Sequence, residues 1–248
     1  MRSEWELADS QLEARLRTWA VPAALASAFL LVSTGAGHFL VRVFLSMWVH
    51  ELGHATTAWL CGFPAFPGPW LTPMAQSRSP FFSFVVFAAI AGSASWACRT
   101  GRRRLCAVLG GLLAVQLFCT LALSVARAKQ LIIFMGDGGC LVLGSLLMLT
   151  VYAPEESALK RGWLRWGFLG IGAGAFVDVF AQWWASRTDF DRIPFGMNEG
   201  AGLSDPSVLS ESFGWSTDQI VHRYVALGCV CLVVVAVVYV RGLVRGRR

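Results

Sequence analysis

Apolar residues are gathered along the chain into blocks that are separated by short polar or basic stretches. A helix that crosses a bilayer needs about 20 mostly apolar residues, and it pairs its own backbone amides because lipid cannot. The pattern therefore predicts an all-α fold, a polytopic transmembrane helix bundle with about six to seven spans. The predicted spans are residues 19–34, 38–62, 80–98, 105–126, 130–152, 163–186 and 221–240.

The polar stretches divide the chain into three predicted parts. Residues 1–18 carry mixed charge with leucines at helical spacing and predict an amphipathic N-terminal segment, and residues 241–248 form a basic tail. Between them, residues 19–240 predict a single transmembrane domain. Within that domain, the four prolines of residues 63–79 exclude a continuous helix and indicate a re-entrant or surface loop. Residues 187–220 predict a polar loop.

Composition supports a membrane location and excludes nucleic acid as a partner. The chain is 56% hydrophobic and 15% charged, whereas soluble domains average about 45–50% and about 25%. The net charge is +6, and much of it comes from basic clusters at the ends of apolar blocks, at 99–104, 160–165 and 241–248. Such clusters favour lipid headgroups and the cytoplasmic face. We expect an integral, multi-pass protein whose environment is the lipid bilayer.

The cysteines do not predict a site. There are seven, an odd number, and they lie in or beside apolar blocks without a C-x-x-C pair. Neither a disulfide framework nor a cysteine zinc site follows from this spacing.

The string W-V-H-E-L-G-H-A carries the chemistry, with Glu51 between His50 and His54. Residues four apart share one face of a helix, so both imidazoles can bind a single zinc ion. Zinc lowers the pKa of a coordinated water toward about 7, and Glu51 is placed to take its proton and pass it to a leaving amine. Ionisable residues in a span cost about 2.5–3.5 kcal/mol each and are seldom kept without a function. The pattern is typical of a metal-assisted hydrolase.

Catalytic zinc usually takes a third protein ligand, and two aspartates inside apolar blocks are candidates. Asp137 lies in F-M-G-D-G-G and Asp178 in G-A-F-V-D-V-F. Their predicted depths match that of the histidines, so depth does not choose between them. Asp137 can instead cap a helix, and Asp178 can pair with Gln182. One aspartate can also bind the metal while the other orients a histidine.

These residues resemble the site-2 protease family, whose members are intramembrane zinc metallopeptidases with H-E-x-x-H on one transmembrane helix and an aspartate ligand on a later one. The Asp137-Gly138 pair is similar to the usual aspartate motif of that family. The strings A-G-S-A-S-W (91–96), D-V-F-A-Q-W-W-A-S-R (178–187) and S-D-P-S-V-L-S-E-S-F-G-W (204–215) look like its smaller, B-like branch. That likeness, together with the parallel direction of the two predicted helices, favours Asp178.

The sequence thus predicts an intramembrane zinc metalloendopeptidase of site-2 protease type. His50, His54 and Asp178 bind Zn²⁺, with Asp137 as the competing ligand, and Glu51 is the general base. The expected substrate is a membrane protein or a membrane-associated peptide. One alternative is a non-proteolytic membrane protein that binds or transports zinc. The other is a different membrane zinc hydrolase, such as a prenyl-protein endopeptidase, for which Glu199 is the best-placed third ligand.

Overall fold

The structure, a computed structural model, describes residues 4–153, 157, 164–198 and 202–246, without the side chains of residues 4–14, 17, 245 and 246. Most of this part of the chain is helical, which confirms the predicted all-α, polytopic class. The described α-helices are α1 (Glu4–Val32), α2 (Gly35–Val41), α3 (Met47–Leu60), α4 (Pro80–Arg99), α5 (Arg103–Leu117), α6 (Val125–Leu149), α7 (Leu164–Ala185), α8 (Asp205–Glu211) and α9 (Thr217–Gly246).

Shorter elements join or extend these helices. A π-helical turn, Arg42–Ser46, links α2 to α3, and another, Phe118–Ala122, extends α5. Single 3₁₀ turns are formed by Thr150–Tyr152 and Phe190–Arg192. Two short strands, β1 (Met197–Asn198) and β2 (Gly202–Leu203), pair antiparallel in the predicted polar loop. That loop is therefore more ordered than its polarity indicates, since it also contains α8.

Five helices of the described chain are long and apolar enough to cross a membrane. They are Pro80–Arg99, Arg103–Ala122, Val125–Tyr152, Leu164–Ala185 and Thr217–Val244. A sixth candidate is a helix pair, Thr18–Val32 and Gly35–Leu60, bent by 119° at the break between them. The first two predicted spans therefore correspond to a bent pair rather than to two independent crossings.

The bend has a local cause at Thr34. Its backbone is extended (φ −110°, ψ 143°), and its Oγ1 accepts a hydrogen bond from the backbone N–H of Gly37 at 3.1 Å. This side-chain cap starts a new helix at Gly35 instead of continuing the previous one. Gly37 permits the tight turn, because a Cβ at that position would clash with the carbonyl oxygen of Leu31.

The chain divides into two compact units. The first comprises Met1–His50, Asp137–Pro194 and Trp215–Arg248, and the second comprises Glu51–Gly136 and Phe195–Gly214. The division passes through the continuous helix α3, between His50 and Glu51. Both units therefore include part of the helix that carries the H-E-x-x-H string.

In the first unit, helix α7 packs against α1, α2 and α9. Helices α6 and α7 approach closely at Gly144 and Gly172, where a Cβ on Gly144 would lie 2.9 Å from the carbonyl oxygen of Gly172. Near the end of α7, the ring of Trp183 stacks on that of Tyr224 from α9 at 4.3 Å, and both side chains are fully buried. These contacts fix the C-terminal half of α7.

In the second unit, helices α4 and α5 form a hairpin. Gln116 is buried and its Nε2 donates to the carbonyl of Ser83 at 2.9 Å. At the tip, Gly101 has a φ of 72°, which lets the chain reverse tightly. The reversal brings Cys98 and Cys106 together, and they form a disulfide. The cysteine spacing does not predict this single disulfide, because it does not reveal that the hairpin closes at this point.

Parts of two predictions lie at the edge of the described residues. Residues 4–18 of the predicted N-terminal segment 1–18 belong to helix α1, but most of their side chains lie outside the described part. Glu199, the ligand of the prenyl-protein endopeptidase alternative, also lies outside the described residues. The Pro-rich loop 63–79 contains no helix, as predicted.

Candidate metal centre

The H-E-x-x-H string lies entirely on helix α3, immediately after the π-helical turn Arg42–Ser46. His50 and His54 are one turn apart on this helix and therefore share a face. Glu51 and His54 are buried, with 4% and 8% of their surfaces exposed, and His50 is half-buried. The two histidines thus have the arrangement on one helix face that the sequence predicts for binding a single metal ion.

A carboxylate from helix α8 completes a group that can hold a metal ion. One ligand atom each from His50, His54 and Asp205 lies within 4.8 Å of the others. Within this group, His54 Nε2 and Asp205 Oδ2 lie 3.1 Å apart. The three residues supply two nitrogen donors and one oxygen donor.

These donors fit zinc in type, number and spacing. Imidazole nitrogen and carboxylate oxygen are ordinary zinc ligands, and three protein ligands leave a fourth position open. A tetrahedral ion with bonds of about 2.0–2.2 Å holds its ligand atoms about 3.3 Å apart. The distance between His54 and Asp205 already matches that spacing. The widest separation in the group exceeds it by about 1.5 Å at most, a change that side-chain rotation can make.

Both histidines are oriented through their second ring nitrogen. His50 Nδ1 lies 3.0 Å from Asp137 Oδ1, and His54 Nδ1 lies 2.8 Å from the carbonyl oxygen of Ile132. A carboxylate or carbonyl at Nδ1 holds the proton there, which leaves the lone pair on Nε2 for a metal. Such partners are typical of zinc-binding histidines, and they support the fit independently of the donor distances.

Asp137 is itself held in place. Its second carboxylate oxygen, Oδ2, accepts a hydrogen bond from Trp183 Nε1 at 2.8 Å, and both residues are buried. The stacking of Trp183 on Tyr224 fixes the indole. Asp137 thus orients His50, which is the supporting role that the sequence left open for one of the two aspartates.

Asp205 is positioned by the short strands and by its own helix. It is the first residue of α8, followed by Pro206, which suits the start of a helix. Just before it, the Ser204 backbone N–H donates to the carbonyl of Gly196 at 2.8 Å, and the Gly196 N–H donates to Ser207 Oγ at 2.9 Å. These bonds fix the helix start from both sides.

Glu51 is contacted by the Pro-rich loop. Thr72 Oγ1 lies 2.7 Å from Glu51 Oε2 and 3.0 Å from the Glu51 carbonyl oxygen, and can donate to either. The loop is folded as a narrow hairpin, with backbone bonds from Ala75 N to Pro64 O and from Phe66 N to Pro73 O. A hydroxyl from an ordered loop therefore sets the direction of the buried carboxylate.

The predicted third ligand, Asp178, has other partners. Its Oδ1 lies 2.9 Å from His38 Nε2 and its Oδ2 lies 3.3 Å from an Arg42 guanidinium nitrogen. Arg42 also donates to Gln182 Oε1. Asp178 and Asp137 are both absent from the His50, His54 and Asp205 group.

The sequence pattern does not predict Asp205 as a ligand, because the residue lies in a polar segment outside the apolar blocks. A signal was present in the S-D-P-S string, since an acidic residue just before proline is typical of a helix start. Such a start holds one carboxylate at a fixed point of the fold. The string does not show which part of the chain that carboxylate faces.

Comparison with known proteins finds no relative of the chain. The chain matches no family model, no curated protein and no solved structure.

Proposed function

We propose that the chain is an integral, multi-pass membrane zinc metalloendopeptidase that hydrolyses peptide bonds of membrane-associated substrates. The observation that carries the proposal is that ligand atoms of His50, His54 and Asp205 lie close together, with the buried Glu51 next to His50 on helix α3. We assign the three grouped residues as the zinc ligands and Glu51 as the general base. This replaces Asp178 by Asp205 in the ligand set.

The presence of Glu51 favours hydrolysis over simple metal binding. A carboxylate adjacent in sequence to a metal ligand, buried and held by Thr72, is not required to bind or carry zinc. Burying a carboxylate is costly unless it is paired or used. We therefore assign Glu51, which is next to the proposed ligand His50 on helix α3, as the general base for the attacking water.

Each residue has a distinct part in the proposed reaction. Zinc, when bound, supplies a Lewis acid that polarises the scissile carbonyl and makes water acidic enough to be deprotonated near neutral pH. Glu51 accepts the proton of the attacking water and delivers it to the nitrogen of the leaving amine. Thr72 keeps the Glu51 carboxylate in one direction, and Asp137 keeps the His50 ring in one orientation and one tautomer.

The direct test is the Glu51→Gln variant with a membrane-anchored reporter substrate expressed in the same cell. Glutamine keeps the size of the side chain and cannot accept the proton. General acid–base catalysis contributes about 10²–10⁴-fold, so we expect reporter cleavage to fall at least 100-fold while the protein level and its zinc content stay the same. Glu211→Gln, at the exposed end of α8, is the matched control and should cleave normally.

Two results would overturn the proposal. One is cleavage by Glu51→Gln at the wild-type rate. The other is zinc uptake into cells that survives Glu51→Gln and is lost in His54→Ala, which would indicate a zinc-binding or transport protein instead.

A further inference from the structure

Two free cysteines of the second unit, Cys61 and Cys119, are neighbours in the fold: Cys61 follows the last residue of helix α3, and Cys119 lies in the π-helical turn that extends α5. Neither belongs to the Cys98–Cys106 disulfide. Both are buried: Cys61 is fully buried, and 4% of the surface of Cys119 is exposed. They belong to one apolar cluster of buried side chains.

The neighbouring residues hold the same two segments together. Thr120 Oγ1 donates to the carbonyl of Leu60 at 3.1 Å. Leu60 precedes Cys61 and Thr120 follows Cys119, so this bond joins the two segments at the positions next to the thiols. This bond therefore holds together the two segments that carry the thiols.

A positive charge is fixed beside the pair. The guanidinium of Arg78 donates to the carbonyls of Cys119 and Thr120, at 3.0 and 3.3 Å, and lies over the ring of Phe63 at 5.7 Å. Arginine stays protonated in proteins. The thiolate is the nucleophile in thiol oxidation.

We propose that Cys61 and Cys119 are an oxidation site that closes to a disulfide when the protein meets hydrogen peroxide. The Cys119 thiolate attacks one oxygen of the peroxide. The O–O bond breaks, the other oxygen leaves as hydroxide and takes up a proton, and Cys119 becomes a sulfenic acid. The Cys61 sulfur then attacks the Cys119 sulfur, and the second oxygen leaves as water with the Cys61 proton. The two thiols lose two electrons, and the peroxide is reduced to two waters.

The other free cysteines provide contrast within the same chain. Cys140 is also fully buried, but its Sγ donates to the carbonyl of Ser46 at 3.4 Å. Burial alone therefore does not distinguish Cys61 and Cys119, whereas their position next to each other does. The proposal does not depend on the proposed hydrolase, since it concerns only these thiols.

The experiment treats the purified full chain, in detergent micelles, with hydrogen peroxide. The protein is then denatured, alkylated and digested for mass spectrometry. Five cysteines are free before treatment, so we expect the number of alkylated thiols to fall from five to three and a peptide linked through Cys61 and Cys119 to appear. Cys140→Ser, the matched control, should still form that link. Cys119→Ser should not form it.

The peptide linked by the native Cys98–Cys106 disulfide serves as the internal standard for recovery of linked peptides in each sample. Recovery of that peptide together with fully alkylated Cys61 and Cys119 after peroxide would overturn the proposal. So would a link from Cys61 to a cysteine other than Cys119. Because the wild-type protein alone gives both of these readings, the test does not rely on the folding of a variant.

Discussion

Replacing three aspartates by asparagine, one at a time, separates a metal ligand from a supporting residue and from a residue with no part in the site. Asp205 lies 3.1 Å from His54, Asp137 contacts the second ring nitrogen of His50, and Asp178 is paired elsewhere. Asparagine keeps the shape and removes the charge. The three variants should therefore differ in zinc affinity, although the substitution is the same.

The expected magnitudes follow from these positions. Structural zinc sites with four ligands bind with about 10–16 kcal/mol, or about 2.5–4 kcal/mol for each ligand. At about 1.4 kcal/mol for each factor of ten, losing one ligand weakens binding by about 60- to 700-fold. We expect Asp205→Asn to weaken zinc binding by about 100-fold, and Asp137→Asn to weaken it by about 10-fold, as for other partners of a zinc ligand. Asp178→Asn should bind zinc as the wild type does.

The assay is a competition for zinc between each purified variant and a fluorescent chelator in detergent solution. Size-exclusion profiles and thermal unfolding check that the variants are folded. The assignment of Asp205 as a ligand is refuted if Asp178→Asn binds zinc about 100-fold more weakly than the wild type while Asp205→Asn keeps the wild-type affinity. That result would restore the ligand set that the sequence predicts.

Two further predictions concern the loop and the helix packing. Thr72→Val removes a hydrogen bond to the Glu51 carboxylate, a contact of about 1.5 kcal/mol. The kcat of the proposed hydrolysis should therefore fall about tenfold with KM nearly unchanged, and Thr72→Ser should keep the wild-type kcat. A wild-type kcat in the valine variant would contradict this role of Thr72. Gly172→Leu should lower the thermal unfolding temperature, because its Cβ would lie 2.5 Å from the Gly144 carbonyl, whereas Gly170→Leu, with open space around it, should not; equal unfolding temperatures would contradict the close approach of α6 and α7.

Local patterns predict the helices and the first part of the site. His50, Glu51 and His54 are placed by the period of a single helix, which needs no knowledge of distant contacts. Long apolar blocks likewise become helices because lipid cannot pair backbone amides. The bend at Thr34 is also local, but a single capping hydroxyl is a weak signal inside a strongly apolar stretch.

The third member of the metal group depends on long-range contacts that the pattern does not contain. The rule that ionisable residues inside spans are functional selects Asp137 and Asp178, and both are engaged in the structure, with His50 and with His38 and Arg42 respectively. That rule does not select Asp205, because Asp205 lies in a polar segment outside the apolar blocks. Its position depends on how the chain folds between α7 and α8. Cys98 and Cys106 illustrate the same limit, since only the closed hairpin brings them together.

The central claim is that Glu51 works at a zinc ion held by the grouped residues, and the most direct test is metal-dependent hydrolysis by the purified protein. Wild type and Glu51→Gln are stripped with a chelator, reloaded with zinc and mixed with a membrane-anchored reporter in micelles. We predict that wild type loses activity on stripping and regains it with zinc, whereas Glu51→Gln binds an equal amount of zinc and stays inactive. Hydrolysis by the stripped protein, or by zinc-loaded Glu51→Gln, would contradict the claim.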